Sequence, residues 1–133
     1  MSKKILITGA SSGFGLLTAK TLLKKGHTVV ASMRAMAAKN KSVAEELKAD
    51  GAHTVEIDVT DADSVNQGVQ AAIQAAGGID VVVNNTGHPA KGPLLDISDE
   101  AWHEGLDLML LNVVRMARLV TPIMQRRHSK KVS

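Results

Sequence analysis

The sequence has no cysteine and no tyrosine, and phenylalanine and tryptophan occur once each among its 133 residues. Without cysteine, the chain can form neither a disulfide framework nor a cysteine-based metal site, and we expect no bound metal. The same absence fits a reducing cytoplasm, which is the localisation we expect. The scarcity of aromatic side chains leaves little on which nucleic-acid bases stack, so we expect no nucleic-acid partner.

Long uncharged apolar runs are also absent. The apolar stretch over residues 106–124 is interrupted by four polar or charged residues: Asp107, Asn112, Arg115 and Arg118. No membrane span is therefore expected. The composition, with 44% hydrophobic and 22% charged residues, instead predicts one globular domain over residues 1–133.

Four short apolar runs predict strands, at residues 4–8, 28–33, 53–58 and 79–84. Helical patterns that end in glycine separate them, which is typical of βα units with parallel strands and right-handed crossovers. The second of these helices is expected to begin with a capping box at residues 42–45. The fourth strand is apolar enough to be covered on both faces.

A long helical signal follows the fourth predicted strand. We expect a helical region over residues 101–127, broken near Asp107 and disturbed at Pro122. Spacing predicts that its apolar face consists of Met109, Leu110, Val113, Met116, Ala117, Val120, Ile123 and Met124. Residues 128–133 are the candidate start of a fifth strand.

Three glycines lie between the first predicted strand and the first helix, in the stretch Thr8-Gly9-Ala10-Ser11-Ser12-Gly13-Phe14-Gly15. The unpaired N–H groups and the dipole of a helix N-terminus attract phosphate. Gly9 permits a tight turn, Gly13 the approach of a pyrophosphate, and Gly15 close packing of helix on strand. The stretch therefore predicts a nucleotide phosphate site.

The same residues also fit the G-x-S-x-G pattern of a serine hydrolase, with Ser11 as the nucleophile. Such an elbow needs an oxyanion donor from a loop that follows an earlier strand, and here the motif follows the first strand. None of the five histidines is an obvious triad partner. The hydrolase is therefore a remote alternative.

Three motifs together resemble the short-chain dehydrogenase/reductase family. Residues 8–15 match its TGxxxGxG motif, and Asp58-Val59 match its adenine-binding aspartate after the third strand. Asn84-Asn85-Thr86-Gly87 match its NNAG motif, with Thr86 in place of alanine. The resemblance covers nearly the whole chain but only the first half of the family's length.

The resemblance implies an α/β, Rossmann-like three-layer fold with a parallel sheet in the order 3-2-1-4, truncated, with residues 128–133 as a stub of strand five. It also implies hydride transfer between NADPH and a carbonyl or alcohol. The cofactor-binding residues that it implies are Gly9, Ser11, Ser12, Gly13, Phe14, Gly15, Asp58, Val59, Asn85, Thr86 and Gly87. Asp58 would bond the adenine amino group, with Val59 beside the ring and Asn84 bracing strand four. The alternative for Asp58 is a helix cap or turn residue.

The end of the second strand bears on the choice of cofactor. An NAD site usually carries an acid there, which bonds the ribose 2′-hydroxyl, whereas this chain reads Ala31-Ser32-Met33-Arg34. The Arg34 guanidinium can offer a forked donor to a 2′-phosphate. We therefore expect NADP(H) to be favoured over NAD(H), the alternative being that Arg34 is only solvated.

The catalytic Asn-Ser-Tyr-Lys set of the family is missing, since the sequence contains no tyrosine. The family spacings W-x₆-N from Trp102 and N-x₁₂-P to Pro122 both place Met109 at the asparagine position. Asn112 falls about one helical turn further on and would be catalytic only if the register slipped. We assign no catalytic residue and expect no catalysis by this chain alone.

An open fourth strand beside an apolar helix is an unpaired edge that invites association. We therefore expect self-association, or a complementary protein half, through strand four and residues 101–127. The alternative to an enzyme segment is a non-catalytic nucleotide-binding or regulatory module that pairs with another chain.

Overall fold

The computed structural model describes residues 1–132, with side chains described through residue 130. Four parallel strands form one sheet in the order β3-β2-β1-β4. They are β1 (Lys4–Ile7), β2 (Thr28–Met33), β3 (His53–Glu56) and β4 (Val81–Val83). Both the strand order and the parallel orientation confirm the prediction from the sequence.

A helix follows each strand. The first three are α1 (Gly13–Lys24), α2 (Lys41–Ala49) and α3 (Ala62–Ala76). After β4 come a short 3-10 helix (Leu94–Asp96), α4 (Asp99–Leu106), a π-helical turn (Asp107–Leu111) and α5 (Asn112–Val132). The interruption expected near Asp107 is thus a change of helix type and not a loop. None of the helices within residues 1–132 offers a long enough apolar stretch to cross a membrane.

Alternate residues of the central strands supply two hydrophobic cores. Leu6 and Val30 pack with α3 and α5, whereas Ile5, Ile7 and Val29 pack with α1 and α2. Side chains alternate between the two faces of a strand, so β1 and β2 are buried on both sides. The result is a three-layer α/β, Rossmann-like fold.

The beginning of α2 differs from the prediction. The helix begins at Lys41, so Ser42 lies inside its first turn, and the N-cap Asn40 makes no side-chain cap bond. Instead, the Asn40 amide donates to the carbonyl oxygen of Arg34 at 2.6 Å. That bond closes the loop after β2 and starts the helix ahead of the serine, so the expected capping box does not form.

The buried face of α5 also differs from the prediction. Met116 and Val120 are buried as expected, but the buried residue one turn earlier is Asn112. The predicted positions that are exposed instead are Met109, Leu110, Val113 and Ala117. The π turn widens the helix just before α5 and thereby rotates the following residues relative to α4.

Residues 128–132 continue α5, so the prediction of a strand-five stub is wrong for them, and Ser133 lies outside the described residues. Val132 is the only β-branched residue in this stretch of the sequence, and local preference therefore favours continued helix. β4 remains at the edge of the sheet, and Val81 is 38% exposed. The expectation that this strand is covered on both faces is therefore wrong.

Arg127 ties the end of α5 to the sheet. Its guanidinium pairs with Asp80 at 3.3 Å and donates to the carbonyl oxygen of Gly77 at 3.2 Å. Asp80 also accepts a hydrogen bond from the backbone N–H of Lys4 at 2.9 Å. A single, mostly buried carboxylate thus joins the beginning of β1 to α5.

We expect Arg127→Met to lower the free energy of unfolding by about 1–3 kcal/mol, because it removes a charged partner of the mostly buried Asp80. Urea unfolding followed by circular dichroism measures the change. The matched control is Arg126→Met at the exposed neighbouring position, which should stay within about 0.5 kcal/mol of the wild type. Equal losses in both variants would contradict the role assigned to Arg127.

Candidate functional site

The carboxyl ends of the four strands meet at one edge of the sheet, where a cleft of about 1010 Å³ opens. Each of the four loops that follow the strands contributes to it, for example through Gly9, Arg34, Asp58 and Asn85. The chain order reverses between β1 and β4. Open parallel sheets bind their ligands at such a reversal, so this cleft is the candidate site.

The glycine-rich loop turns from β1 into α1 in a confined space. Gly9 has a φ of +63°, and a Cβ added there would overlap the backbone oxygen of Asn85. A Cβ on Gly15 would overlap the carbonyl oxygen of Gly9. Gly13 has a φ of +55° and faces open space. The structure therefore shows the tight turn and the close packing, while pyrophosphate binding at Gly13 stays a prediction.

The first turn of α1 has unpaired backbone donors directly after Ser12, which lines the cleft. Ser12 is the N-cap, and the first helical hydrogen bond runs from Leu16 N–H to its carbonyl oxygen at 3.2 Å. The N–H groups of Gly13, Phe14 and Gly15 precede that bond and have no partner within the helix. The first turn contains no acidic residue. Together with the helix dipole, these donors favour an anion such as phosphate.

Asn85 holds the loops after β1 and β4 together. Its backbone N–H donates to Thr8 Oγ1 at 3.0 Å, and its Nδ2 donates to the carbonyl oxygen of Gly9 at 3.2 Å. Asn84, which was expected to brace β4, is exposed at the cleft. The bracing amide is therefore that of Asn85, which shapes the glycine-rich loop from the neighbouring strand.

Asp58 is held in a turn by Thr60. Its Oδ1 accepts hydrogen bonds from the Thr60 N–H at 3.0 Å and from the Thr60 hydroxyl at 2.6 Å. The hydroxyl bond does most to lower the pKa of Asp58, and the Thr60 N–H and the Arg34 charge lower it further against the opposing effect of burial. Asp58 is therefore both a turn residue and an ionised acceptor that lines the cleft. Sequence reasoning did not predict the contact between Thr60 and Asp58, although their spacing is that of an Asx turn.

The loop after β2 brings positive charge to the cleft. Arg34 and Lys39 are both exposed and both line it. Ala35, between them, has a φ of +49°, in the left-handed region that non-glycine residues rarely occupy. The Asn40 backbone N–H bonds the Ala35 carbonyl oxygen at 3.1 Å and helps to hold this conformation. Sequence reasoning found Arg34 but not Lys39 or Asn40, whose role appears only when the loop is closed.

Arg115 connects α5 to the loop after β3. Its Nη1 donates to the carbonyl oxygen of the buried Val59 at 3.3 Å, and its Nη2 pairs with Asp107 Oδ1 at 2.5 Å. Sequence reasoning gave Arg115 no role, because its backbone partner lies 56 residues away. Arg115 therefore fixes the backbone of Val59, which lines the cleft, to α5.

Of the two candidates for the family asparagine position, only Asn112 reaches the loop after β4. It is 2% exposed, and its Nδ2 donates to Thr86 Oγ1 and, at 3.0 Å, to the carbonyl oxygen of Leu108. Met109 is 49% exposed. The absence of a catalytic residue in this chain stays a prediction.

The arrangement of charge suits a ligand with several phosphates and a hydrogen-bonding ring. Backbone donors of α1 lie at one loop, positive side chains at a second, and an ionised carboxylate at a third. No group of three histidine, aspartate or glutamate side chains in the described part of the chain could hold a metal ion.

Comparison with known proteins agrees with this geometry. The sequence profile described as short chain dehydrogenase matches residues 3–132. A Streptomyces virginiae protein, named as a ketoacyl reductase of the monensin polyketide synthase, is 41% identical over 121 residues, covering 90% of this chain and 46% of that protein.

Two solved structures show the likeness in three dimensions. The 3-ketoacyl-(acyl-carrier-protein) reductase of Brucella melitensis complexed with NADH has a TM-score of 0.88 at 31% identity, with 97% of this chain and 52% of that chain covered. An actinorhodin polyketide ketoreductase variant with NADPH has a TM-score of 0.81 at 32% identity, with 90% of this chain and 46% of that chain covered.

The chain spans about half the length of the relatives it matches. The two solved structures each hold a nicotinamide dinucleotide, NADH in one and NADPH in the other. The profile match, the parallel sheet and the glycine-rich turn into α1 all agree. The chain belongs to the short-chain dehydrogenase family.

Proposed function

We propose that this chain is the NADP(H)-binding segment of a short-chain dehydrogenase/reductase that transfers hydride between NADPH and a carbonyl or alcohol. The observation that carries the proposal is the meeting of three groups in one cleft: Ser12 at the N-cap of α1, Arg34 and the ionised Asp58. The ketoreductases among its relatives support the reaction class.

The residues of the cleft fit each part of the dinucleotide. The N–H groups from Gly13 to Gly15 bind the pyrophosphate, and the open space beside Gly13 leaves room for it to approach the backbone. The Asp58 carboxylate accepts a hydrogen bond from the adenine amino group, with Val59 beside the ring. When bound, the nicotinamide supplies or accepts the hydride.

The preference for NADP(H) rests on the loop after β2. Arg34 and Lys39 lie at the cleft and no acidic residue stands at the end of β2, so a 2′-phosphate there meets positive charge. The bond from Asn40 to the Arg34 carbonyl holds the backbone from which the guanidinium extends. One related structure holds NADH and another holds NADPH. We therefore assign the cofactor preference of this chain to the loop after β2.

We propose that the isolated chain binds the dinucleotide without reducing ketones. It has no tyrosine to exchange a proton with the substrate oxygen. Pairing with a second copy or a complementary half is supported by large apolar side chains that are exposed on the last helical region: Trp102, Leu106, Leu110, Leu111 and Val114. The alternatives are a regulatory module that pairs with another chain and, more remotely, a hydrolase that uses Ser11.

The cofactor preference predicts the effect of Arg34→Ala. The dissociation constant for NADPH should rise by about tenfold or more, because charged hydrogen bonds to the 2′-phosphate are lost, while that for NADH changes less than about twofold. Isothermal titration of both cofactors measures the ratio. Arg118→Ala, at an exposed position of α5, is the control and should bind as the wild type does. An unchanged ratio in Arg34→Ala would reject the preference.

The phosphate site predicts a specific effect of Gly13→Ala. The matched control is Gly26→Ala, because both glycines have positive φ and open space around the added methyl group. Each substitution should lower the free energy of unfolding by about 1 kcal/mol through backbone strain. Only Gly13→Ala should also raise the dissociation constant for NADPH, by about tenfold, since its methyl group occupies the phosphate position.

Equal NADPH affinities in the two glycine variants would show that the phosphate does not approach Gly13. Thermal unfolding of each variant, run beside the titration, separates loss of binding from loss of fold.

The lowered pKa of Asp58 predicts a stability that depends on pH. A carboxyl whose pKa is lower in the folded state stabilises the fold above its unfolded pKa, and this contribution disappears as pH falls through the folded pKa. Asp58→Asn should therefore destabilise the chain near neutral pH and have progressively less effect in acid.

Urea unfolding at a series of pH values from about 7 to about 3 measures that trend. Asp96→Asn, at an exposed position before α4, is the control. A difference between wild type and Asp58→Asn that stayed constant with pH would show that the carboxylate charge is not the source.

A further inference from the structure

Asn112 occupies an unusual place in the helical region. Its backbone N–H bonds the carbonyl oxygen of Asp107, five residues earlier, as the π turn requires. In an α-helix the same N–H would bond Leu108, four residues earlier. Here the side chain takes over that carbonyl, since Asn112 Nδ2 donates to Leu108 O at 3.0 Å. The Asn112 amide is therefore fixed by the π turn itself.

This contact also fixes which end of the amide faces Thr86. A carbonyl oxygen can only accept, so the amide presents nitrogen and not oxygen to Leu108. The same Nδ2 contacts Thr86 Oγ1. The Thr86 oxygen is therefore the acceptor of that bond, and the Thr86 hydroxyl proton points elsewhere.

The Thr86 side chain is also held on its other side. Its methyl carbon lies against the glycine-rich loop, 3.0 Å from the position that a Cβ added to Gly9 would take. Thr86 lines the cleft, and no acceptor among residues 1–130 takes its hydroxyl proton. A threonine packed in this way offers one donor to whatever occupies the cleft.

We propose that Asn112 is a positioning residue that orients the Thr86 hydroxyl to donate a hydrogen bond to an oxygen of the bound dinucleotide. The inference rests on the proposed function and adds a contact to it. The alanine of the family motif could not make this contact, because it has no hydroxyl. Both the ribose and the phosphate oxygens of the dinucleotide are acceptors of the required kind.

Substitution of Thr86 tests the donor. Thr86→Val keeps the shape and removes the hydroxyl, so the dissociation constant for NADPH should rise by about five- to tenfold. Thr86→Ser restores the hydroxyl and should return the constant to within about twofold of the wild type. Thr121→Val, the same change at an exposed site on α5, is the matched control for binding and for the melting temperature.

A double-mutant cycle tests the positioning role. Asn112→Ala should weaken NADPH binding when residue 86 is threonine but cause no further loss in the Thr86→Val background. Equal losses in both backgrounds would show that Asn112 acts on the fold and not through Thr86.

Nuclear magnetic resonance provides a second test of the positioning role that keeps Asn112 in place, in case Asn112→Ala does not fold. The side-chain amide resonance of Asn112 should shift on titration with NADPH in the wild type and shift much less in Thr86→Val. Identical shifts in both proteins would overturn the proposal, as would equal NADPH affinities of wild type and Thr86→Val. Failure of the wild-type chain to bind NADPH at all would instead overturn the proposed function.

Discussion

The close approach of the loops after β1 and β4 governs the geometry of the site. Gly9 and Asn85 meet backbone to backbone, with no room for a Cβ between them. The Asn85 amide closes the contact by donating to the Gly9 carbonyl oxygen at 3.2 Å. Because Gly15 packs against the same carbonyl, this contact sets the direction of α1. A larger residue at Gly9 or Gly15 would move the first turn of α1 away from the cleft.

Each remaining part of the cleft is held by a partner within its own loop. Thr60 bonds one oxygen of Asp58 after β3, and Asn40 bonds the backbone of Arg34 after β2. These bonds leave the other Asp58 oxygen and the Arg34 guanidinium able to contact a ligand. Pre-organised donors and acceptors bind a ligand with less ordering cost than mobile ones. The loops therefore present one arrangement of charge before a ligand arrives, and the parallel sheet holds the loops in register.

What the sequence could predict was local. The parallel strands and the glycine-rich turn follow from short apolar runs and from glycines in a definite place. The strand order came only from the family resemblance. The start of α2 could not be predicted, because it depends on the Asn40 bond to Arg34. Arg115 was missed for the same reason, since its contacts to Val59 and Asp107 exist only in the folded chain.

The helical region shows why residue spacing alone assigned part of the apolar face wrongly. Counting from Trp102 and Pro122 identifies Met109 as the family asparagine position, and an unbroken α-helix would place Asn112 near it on a neighbouring face. Met109 lies within the π turn that directly precedes α5, and this turn changes the angle that each residue contributes. Asn112 turns inward and Met109 outward. Counting residues locates a position along the chain. The helix face that its side chain occupies depends on the hydrogen-bond pattern of the turn before it.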